Sequence, residues 1–336
     1  MRSPLERVSE DAIRDVVAGG WALGIAGLRY VPVGAGAYHW IADGEDGRRW
    51  FVTCDDLDTK PWLGADRDTV FAGLLAAYGT AVALRNGGLT FVAAPVTTAA
   101  GAPAVRVDER HSVSVFEHVD GEPGEWGRPV PDRTDGELVG MLARLHASTP
   151  VVGGLPPRGL DLPGRDGLEE ALDDLHHRWD GGPLSEPARV ELAGHRDLVL
   201  RWLDELDRLA GRLGGAGPAL VVTHGEPHPG NLIGTGGGLT LVDWDTVALA
   251  RPERDLWMIA DLAGGALVVR YEEESGVALD PEALVAYRRL WALSDLVAYT
   301  RQLRCEHQRT ADADRALAAV RSILSGWEPA PYGLGR

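Results

Sequence analysis

Between His224 and Asp245 the chain carries residues whose types and spacing suit phosphate chemistry. It reads His224-Gly225-Glu226-Pro227-His228-Pro229-Gly230-Asn231, then a glycine-rich stretch, then Leu241-Val242-Asp243-Trp244-Asp245. Asn231 follows Glu226 by five residues, and Asp243 follows Asn231 by twelve. Phosphoryl transfer needs an acid to orient the attacking hydroxyl. It also needs an Asn and an Asp to hold the magnesium ions that bridge the ATP phosphates. Two short strand-like runs, 231–233 and 239–242, flank Gly234-Thr235-Gly236-Gly237-Gly238, a glycine-rich hairpin signal. Folding that hairpin returns Asp243 to the neighbourhood of Asn231, where both reach one ion.

The segment resembles the signature of the aminoglycoside phosphotransferases, antibiotic-modifying relatives of the protein kinases. Their motif runs His-Gly-Asp-x-x-x-x-Asn and then Ile/Val-Asp-Trp. Carried over by position, the resemblance makes Glu226 the catalytic base, His224 a loop-bracing histidine, and Asn231 and Asp243 the metal ligands. Asp255, in Arg254-Asp255-Leu256-Trp257, resembles the acid that pins this loop from a following helix. Glu226 departs from the family's aspartate. The extra methylene moves the carboxylate by about an ångström, enough to cost on the order of a hundredfold in rate if the backbone does not adjust.

These residues need a scaffold, and the pattern along the chain supplies one. A short amphipathic helix is expected over 9–17. Strands are expected around 21–33, 37–41, 49–54, 89–94 and 112–116, with a helix rich in Leu and Ala over 66–84. The remainder reads as mostly helical, with long patterns at 167–179, 189–213, 281–304 and 311–324. The expected fold is α+β, a two-lobed protein-kinase-like structure with a strand-rich N-lobe and a mostly helical C-lobe. The nucleotide-binding lobe would span 1–116, and the catalytic and acceptor-binding lobe 117–336.

On the nucleotide side, Gly34 and Gly36 lie in a turn before the second strand. Small residues there let backbone amides approach a phosphate. Glu117-His118-Val119-Asp120-Gly121 resembles the family's hinge, which implies that backbone groups of Glu117 and Val119 bind the adenine edge. The family's strand lysine falls on Thr53, and the helix over 66–84 contains no glutamate to pair with one. Lys60 is the single lysine among the chain's 33 basic residues. Because lysine and arginine are not equivalent at a phosphate, Lys60 is expected to supply the missing positive charge.

Composition sets further bounds. A hydrophobic fraction of 45% and a charged fraction of 25% fit a globular protein. The formal net charge of −17 gives no basic footprint for nucleic acid. No uninterrupted apolar run is long enough for a membrane span. Cys54 and Cys305 have no metal-ligand spacing, and a reducing cytoplasm is the expected setting. Glu169, Glu170, Asp173 and Asp174 crowd one stretch, with Glu169 facing Asp173 and Glu170 facing Asp174 at helical spacing. They are candidate contacts for a cationic acceptor, although a solvated acidic face is the commoner use of such a pattern.

The expected activity is transfer of the γ-phosphate of ATP, with Mg2+, to a hydroxyl of a small molecule. An aminoglycoside or similar cationic antibiotic is the substrate class that the resemblance implies. Two alternatives stay open: a kinase of an ordinary metabolite of the choline, homoserine or sugar type, and a non-catalytic nucleotide-binding pseudokinase.

Overall fold

The Ser9 hydroxyl accepts a hydrogen bond from the Ala12 amide and caps helix α1 (Glu10–Trp21). Ile13, Val17 and Trp21 recur at helical spacing on its buried face. In the computed structural model, which describes residues 1, 5, 8–34, 36–128, 135–214, 219–260 and 265–326, that face packs on an antiparallel sheet. Its five strands are β1 (Ile25–Val31), β2 (Ala37–Gly44), β3 (Arg49–Asp56), β4 (Val105–Arg106) and β5 (His111–Glu117), in the order β1-β2-β3-β5-β4.

Strand alternation gives the sheet two unlike faces. Trp40, Ala42, Trp50, Val52, Cys54, Val113 and Val115 join α1 in an apolar cluster. The opposite parity carries His39, Thr53, Asp55, Ser112 and Ser114. Helix α2 (Arg67–Asn86) follows β3, opened by a capping box between Asp66 and Thr69.

The strand expected over 89–94 is not a strand of this sheet. Gly87 and Gly88 precede the run and Pro95 follows it. The Leu241 amide donates to the Phe91 carbonyl (2.7 Å) and the Ala93 amide to the Leu241 carbonyl (3.0 Å). The run therefore pairs at Phe91 and Ala93 with the segment that leads into Asp243, its amides at Leu89, Val92 and Ala94 bond locally, and the edge of the sheet falls to the two-residue β4.

The chain divides into two compact units, one of Met1–Pro157 with Ala219–Ala278 and one of Arg158–Pro218 with Leu279–Ala330. Besides the sheet, the first contains β6 (Glu122–Pro123), α3 (Asp135–Ala147), β7 (Val221–Thr223), β8 (Leu232–Thr235), β9 (Gly238–Leu241), β10 (Ala248–Ala250), α7 (Glu253–Leu256) and α8 (Ala266–Ser275). Strands β6, β8 and β9 form a small sheet, and β7 pairs with β10.

The second unit is helical: α4 (Arg165–Asp173), α5 (Ser185–Gly194), α6 (Arg196–Leu213), α9 (Pro281–Arg304) and α10 (Ala311–Leu324). They enclose a core that includes Leu172, Leu192, Leu206, Leu293 and Val320. The long helix expected over 189–213 is two helices, because His195 leaves helical geometry at φ −124°. The pattern over 167–179 is helical only to Asp173. Among the described residues no helix is long and apolar enough to cross a membrane.

Candidate active site

Strand β7 delivers the chain to His224 and Gly225. Gly225 has φ +97°, and a side chain there would begin 2.2 Å from the Arg254 guanidinium, so glycine is required on both counts. The amides of His224 and Gly225 donate to the two oxygens of Asp255, at 2.9 and 2.6 Å. Asp255, on α7, also binds His146 Nε2 at 3.1 Å, while His146 Nδ1 meets the Tyr271 hydroxyl at 2.8 Å. Burial alone would raise Asp255. The hydrogen bond and charge of His146, with the Arg254 guanidinium, outweigh it and hold the carboxyl below its ordinary value. A fully buried anion thus fixes two consecutive amides through charge-assisted bonds.

His224 braces the loop from inside. Its Nε2 donates to the Val242 carbonyl (2.9 Å), and its Nδ1 accepts from the Glu226 amide (3.2 Å). Burial lowers its pKa to about 4, so the ring is neutral at physiological pH and the two nitrogens keep these distinct roles. The ring links the Glu226 backbone to the residue before Asp243.

Asn231 is tied to both. Its side-chain nitrogen donates to the Glu226 carbonyl at 3.0 Å, and its own carbonyl accepts from the Val242 amide at 2.9 Å. With its nitrogen spent inside the loop, the amide oxygen is the Asn231 side-chain atom left to act as a ligand. β8 and β9 pair from Leu232↔Leu241 to Thr235↔Gly238, with Gly236 and Gly237 in the turn. The hairpin therefore closes as the glycines predict and brings Asp243 beside Asn231.

Asp243 itself has φ 66°, and only it and Ala22 among the described non-glycine residues have positive φ. Such strain persists where surrounding contacts enforce it. Here the Trp244 indole donates to the Leu241 carbonyl (2.8 Å) and the Thr246 hydroxyl to the His224 carbonyl (2.7 Å).

Asp243 opens to solvent on one side. Its carboxyl is raised above the ordinary range, first by the protein crowded around it and then by the negative Asp245 and Asp55, with Lys60 opposing. Lys60 is buried and forms ion pairs with Asp245 and, at 3.0 Å, with Asp55. Burial would lower its pKa, but Asp245, Asp55 and Asp243 prevail and hold the ammonium well above its usual value. Asp55 is pushed upward by burial, against the charge of Lys60.

Three carboxylates thus face one ammonium. Among the described residues no three His, Cys, Asp or Glu side chains are gathered to hold a metal by themselves. An amide oxygen, one accessible carboxylate and surplus negative charge do suit Mg2+, which binds one or two carboxylates and completes its shell with phosphate and water. Sequence reasoning missed Asp55 and Asp245. The visible signals were the doublet Asp55-Asp56 shortly before the only lysine, and Asp245 within the quoted motif.

Gly34 and Gly36 lie between β1 and β2 with φ +69° and +83°, conformations that favour glycine. The Thr59 hydroxyl, one residue before Lys60, lies 3.2 Å from the Gly36 carbonyl and 2.7 Å from that of Asp56. Glu117 ends β5. The next amide, of His118, donates to the Arg49 carbonyl, and among the described residues no hydrogen bond engages the backbone of Val119. In the helical unit the four acids of the crowded stretch each have an arginine nearby. Glu169 pairs with Arg165, Glu170 and Asp174 with Arg304, and Asp173 with Arg196.

No curated protein sequence matches the chain. Solved structures share its fold at low identity. A spectinomycin phosphotransferase crystallised with ADP and spectinomycin aligns with TM-score 0.73 and 15% identity, over 95% of this chain and 98% of that one. An amicoumacin kinase bound to AMP-PNP, Ca2+ and its antibiotic aligns with TM-score 0.57 and 15% identity, over 97% and 96%. A choline kinase from Streptococcus pneumoniae gives 0.55 and 14%, over 95% and 99%. The sequence profile of the phosphotransferase enzyme family matches residues 38–319, so the chain belongs to that family and is a kinase-like phosphotransferase.

Proposed function

We propose that this phosphotransferase moves the γ-phosphate of ATP to a hydroxyl of a small cationic antibiotic of the aminoglycoside or spectinomycin kind. The observation that carries the reading is the single braced unit of Glu226, Asn231 and Asp243. The three are joined by the Asn231–Glu226 and Val242–Asn231 bonds and held by His224 and Asp255.

Glu226 accepts the proton of the attacking hydroxyl. The hydroxyl oxygen bonds to the γ-phosphorus, and the bond from that phosphorus to the bridging oxygen breaks, leaving ADP. Asn231 and Asp243 would hold Mg2+, which neutralises phosphate charge when bound. The turn at Gly34 and Gly36 offers amides to the phosphates, and the backbone at Glu117 and Val119 offers hydrogen bonds to the adenine edge. Residues 1–116 serve as the nucleotide lobe, and 117–336 as the catalytic and acceptor lobe. Glu169, Glu170, Asp173 and Asp174, each already paired with an arginine, would add only a weak contact for the acceptor's amines, and the setting is cytoplasmic.

A metabolite kinase is the second reading, favoured by the choline kinase among the structural relatives. The test is magnesium-dependent ADP release across a panel of aminoglycosides, spectinomycin, other cationic antibiotics and metabolite alcohols including choline. Turnover with an antibiotic, lost in Asp243→Ala, is the expected result. Turnover with choline or another metabolite alone transfers the assignment to the second reading. ATP binding indifferent to magnesium, with no acceptor turned over, removes both.

A further inference from the structure

Thr53 stands where the family resemblance places a strand lysine, and its hydroxyl is 3.2 Å from His39 Nδ1. Helix α2 carries no glutamate. The usual strand–helix ion pair therefore has no counterpart on those two elements. The only lysine of the chain sits a few residues later, and four segments converge on it. β3 supplies Asp55, and the turn after Asp243 supplies Asp245. α2 supplies Tyr78, whose hydroxyl donates to the second oxygen of Asp55 at 3.2 Å, and α2 packs on the 244–246 turn. Through Thr59, the Lys60 segment also meets the carbonyl of Gly36 in the glycine turn.

The Lys60 ammonium donates to Asp245 and lies within ion-pair distance of Asp55, so both of its close partners are carboxylates of the protein itself. Lys60 is thereby held between strand β3 and the turn after Asp243. Its grip on Asp245 bears directly on the backbone of Asp243, two residues away, which sits at a φ that must be enforced. The Trp244 and Thr246 bonds restrain the turn from the hairpin side. Lys60 restrains it from the sheet side.

We propose that Lys60 is a positioning residue that fixes the Asp243–Asp245 turn to strand β3 through Asp245 and Asp55, so that metal affinity at Asp243 depends on this link. The inference rests on the phosphotransferase reading of Asp243, and it separates Lys60 from a residue that simply touches phosphate. Partners that orient a metal ligand typically change metal affinity by about 10–100-fold when removed.

The experiment is calorimetric binding of ATP at varied Mg2+, of ATP without Mg2+, and of adenosine. The proteins are the wild type, Lys60→Met, Asp245→Asn, Asp55→Asn and the Lys60→Met/Asp245→Asn double variant, with Lys60→Arg as the charge-preserving control. Lys60→Met and Asp245→Asn should each raise the Mg2+ needed for half-maximal ATP binding by about 10–100-fold. Adenosine and metal-free ATP should bind as in the wild type. The double variant should be no worse than the poorer single one, because both remove the same link. Asp55→Asn should move in the same direction, by less.

A Lys60→Met variant that loses metal-free ATP binding, beside an Asp245→Asn variant that is normal, overturns the proposal in favour of direct phosphate contact. Should the wild type bind no ATP, the phosphotransferase reading has failed, and urea unfolding of the same variants judges the link. Non-additive midpoints sustain the tie between turn and strand, and additive ones overturn it. If Lys60→Met does not fold, Lys60→Arg with Asp245→Asn repeats the comparison at constant charge on residue 60.

Discussion

Beside the accessible Asp243, two buried carboxylates share one lysine, while on α4 and its C-cap four exposed or half-exposed acids share three arginines in water. In the sequence the second group is the denser and looks the more purposeful. Its charges are nearly balanced and well solvated, so its ion pairs are each worth little. The first group is sparse in sequence, assembled from β3, the loop after it and the 244–246 turn, and left with surplus negative charge where solvent screens poorly. Acid density along a chain is therefore a weak guide to chemistry. The balance between burial and counter-charge is a better one.

The contrast can be tested from its strongest end. Asp243→Ala should lower the turnover number by at least about a thousandfold, the upper range for deleting a group that stabilises transition-state charge. Steady-state kinetics with the acceptor identified by the panel would measure it, and a loss below tenfold would break the distinction drawn here.

Next comes Asp255→Ala, which strips the buried partner from His146 and from two backbone amides. Unfolding in urea should reveal a loss of about 3–5 kcal/mol. The pH dependence follows from the sign of the shift. Because the folded carboxyl lies below its unfolded value, the stabilisation is complete above about pH 4 and fades as pH falls through the lowered folded pKa. The wild type should therefore lose this increment in acid, and the variant should show a flatter acid limb.

The smallest effect is expected on α4. Asp173→Asn with Glu169→Gln should leave the unfolding midpoint unmoved and change acceptor KM by no more than about threefold, since an incoming amine only replaces an arginine already in place. A tenfold rise in KM would instead make this face a true acceptor contact.

How much of this was legible beforehand follows from the range of the interactions. The hairpin at Gly236-Gly237 is local, and its glycines and flanking apolar residues announced that Asp243 returns to Asn231. Helices α9 and α10 begin and end at the bounds their periodicity indicated. The run at 89–94 misled because its partner, Leu241, lies about 150 residues away, and an apolar stretch does not say which backbone it will pair with. The break at His195 went unseen although Gly194 precedes it, because a single glycine inside a helical pattern does not by itself end a helix. Asp55 was invisible for a similar reason. Its meaning depends on Lys60 folding back after β3 and on Asp245 arriving from far along the chain, and neither is a property of a window of residues. Lys60 could be singled out only because composition had isolated it.

That isolation has a practical side. A surface studded with guanidinium groups, with the one ε-amine buried, offers no lysine side chain to acylating chemistry. Amine-directed dyes, cross-linkers and acetyl donors should find no side chain to modify while the fold is closed. Any label that does arrive on Lys60 would then record an opening of its contacts with Asp55 and Asp245, which makes the native chain its own reporter without an engineered probe.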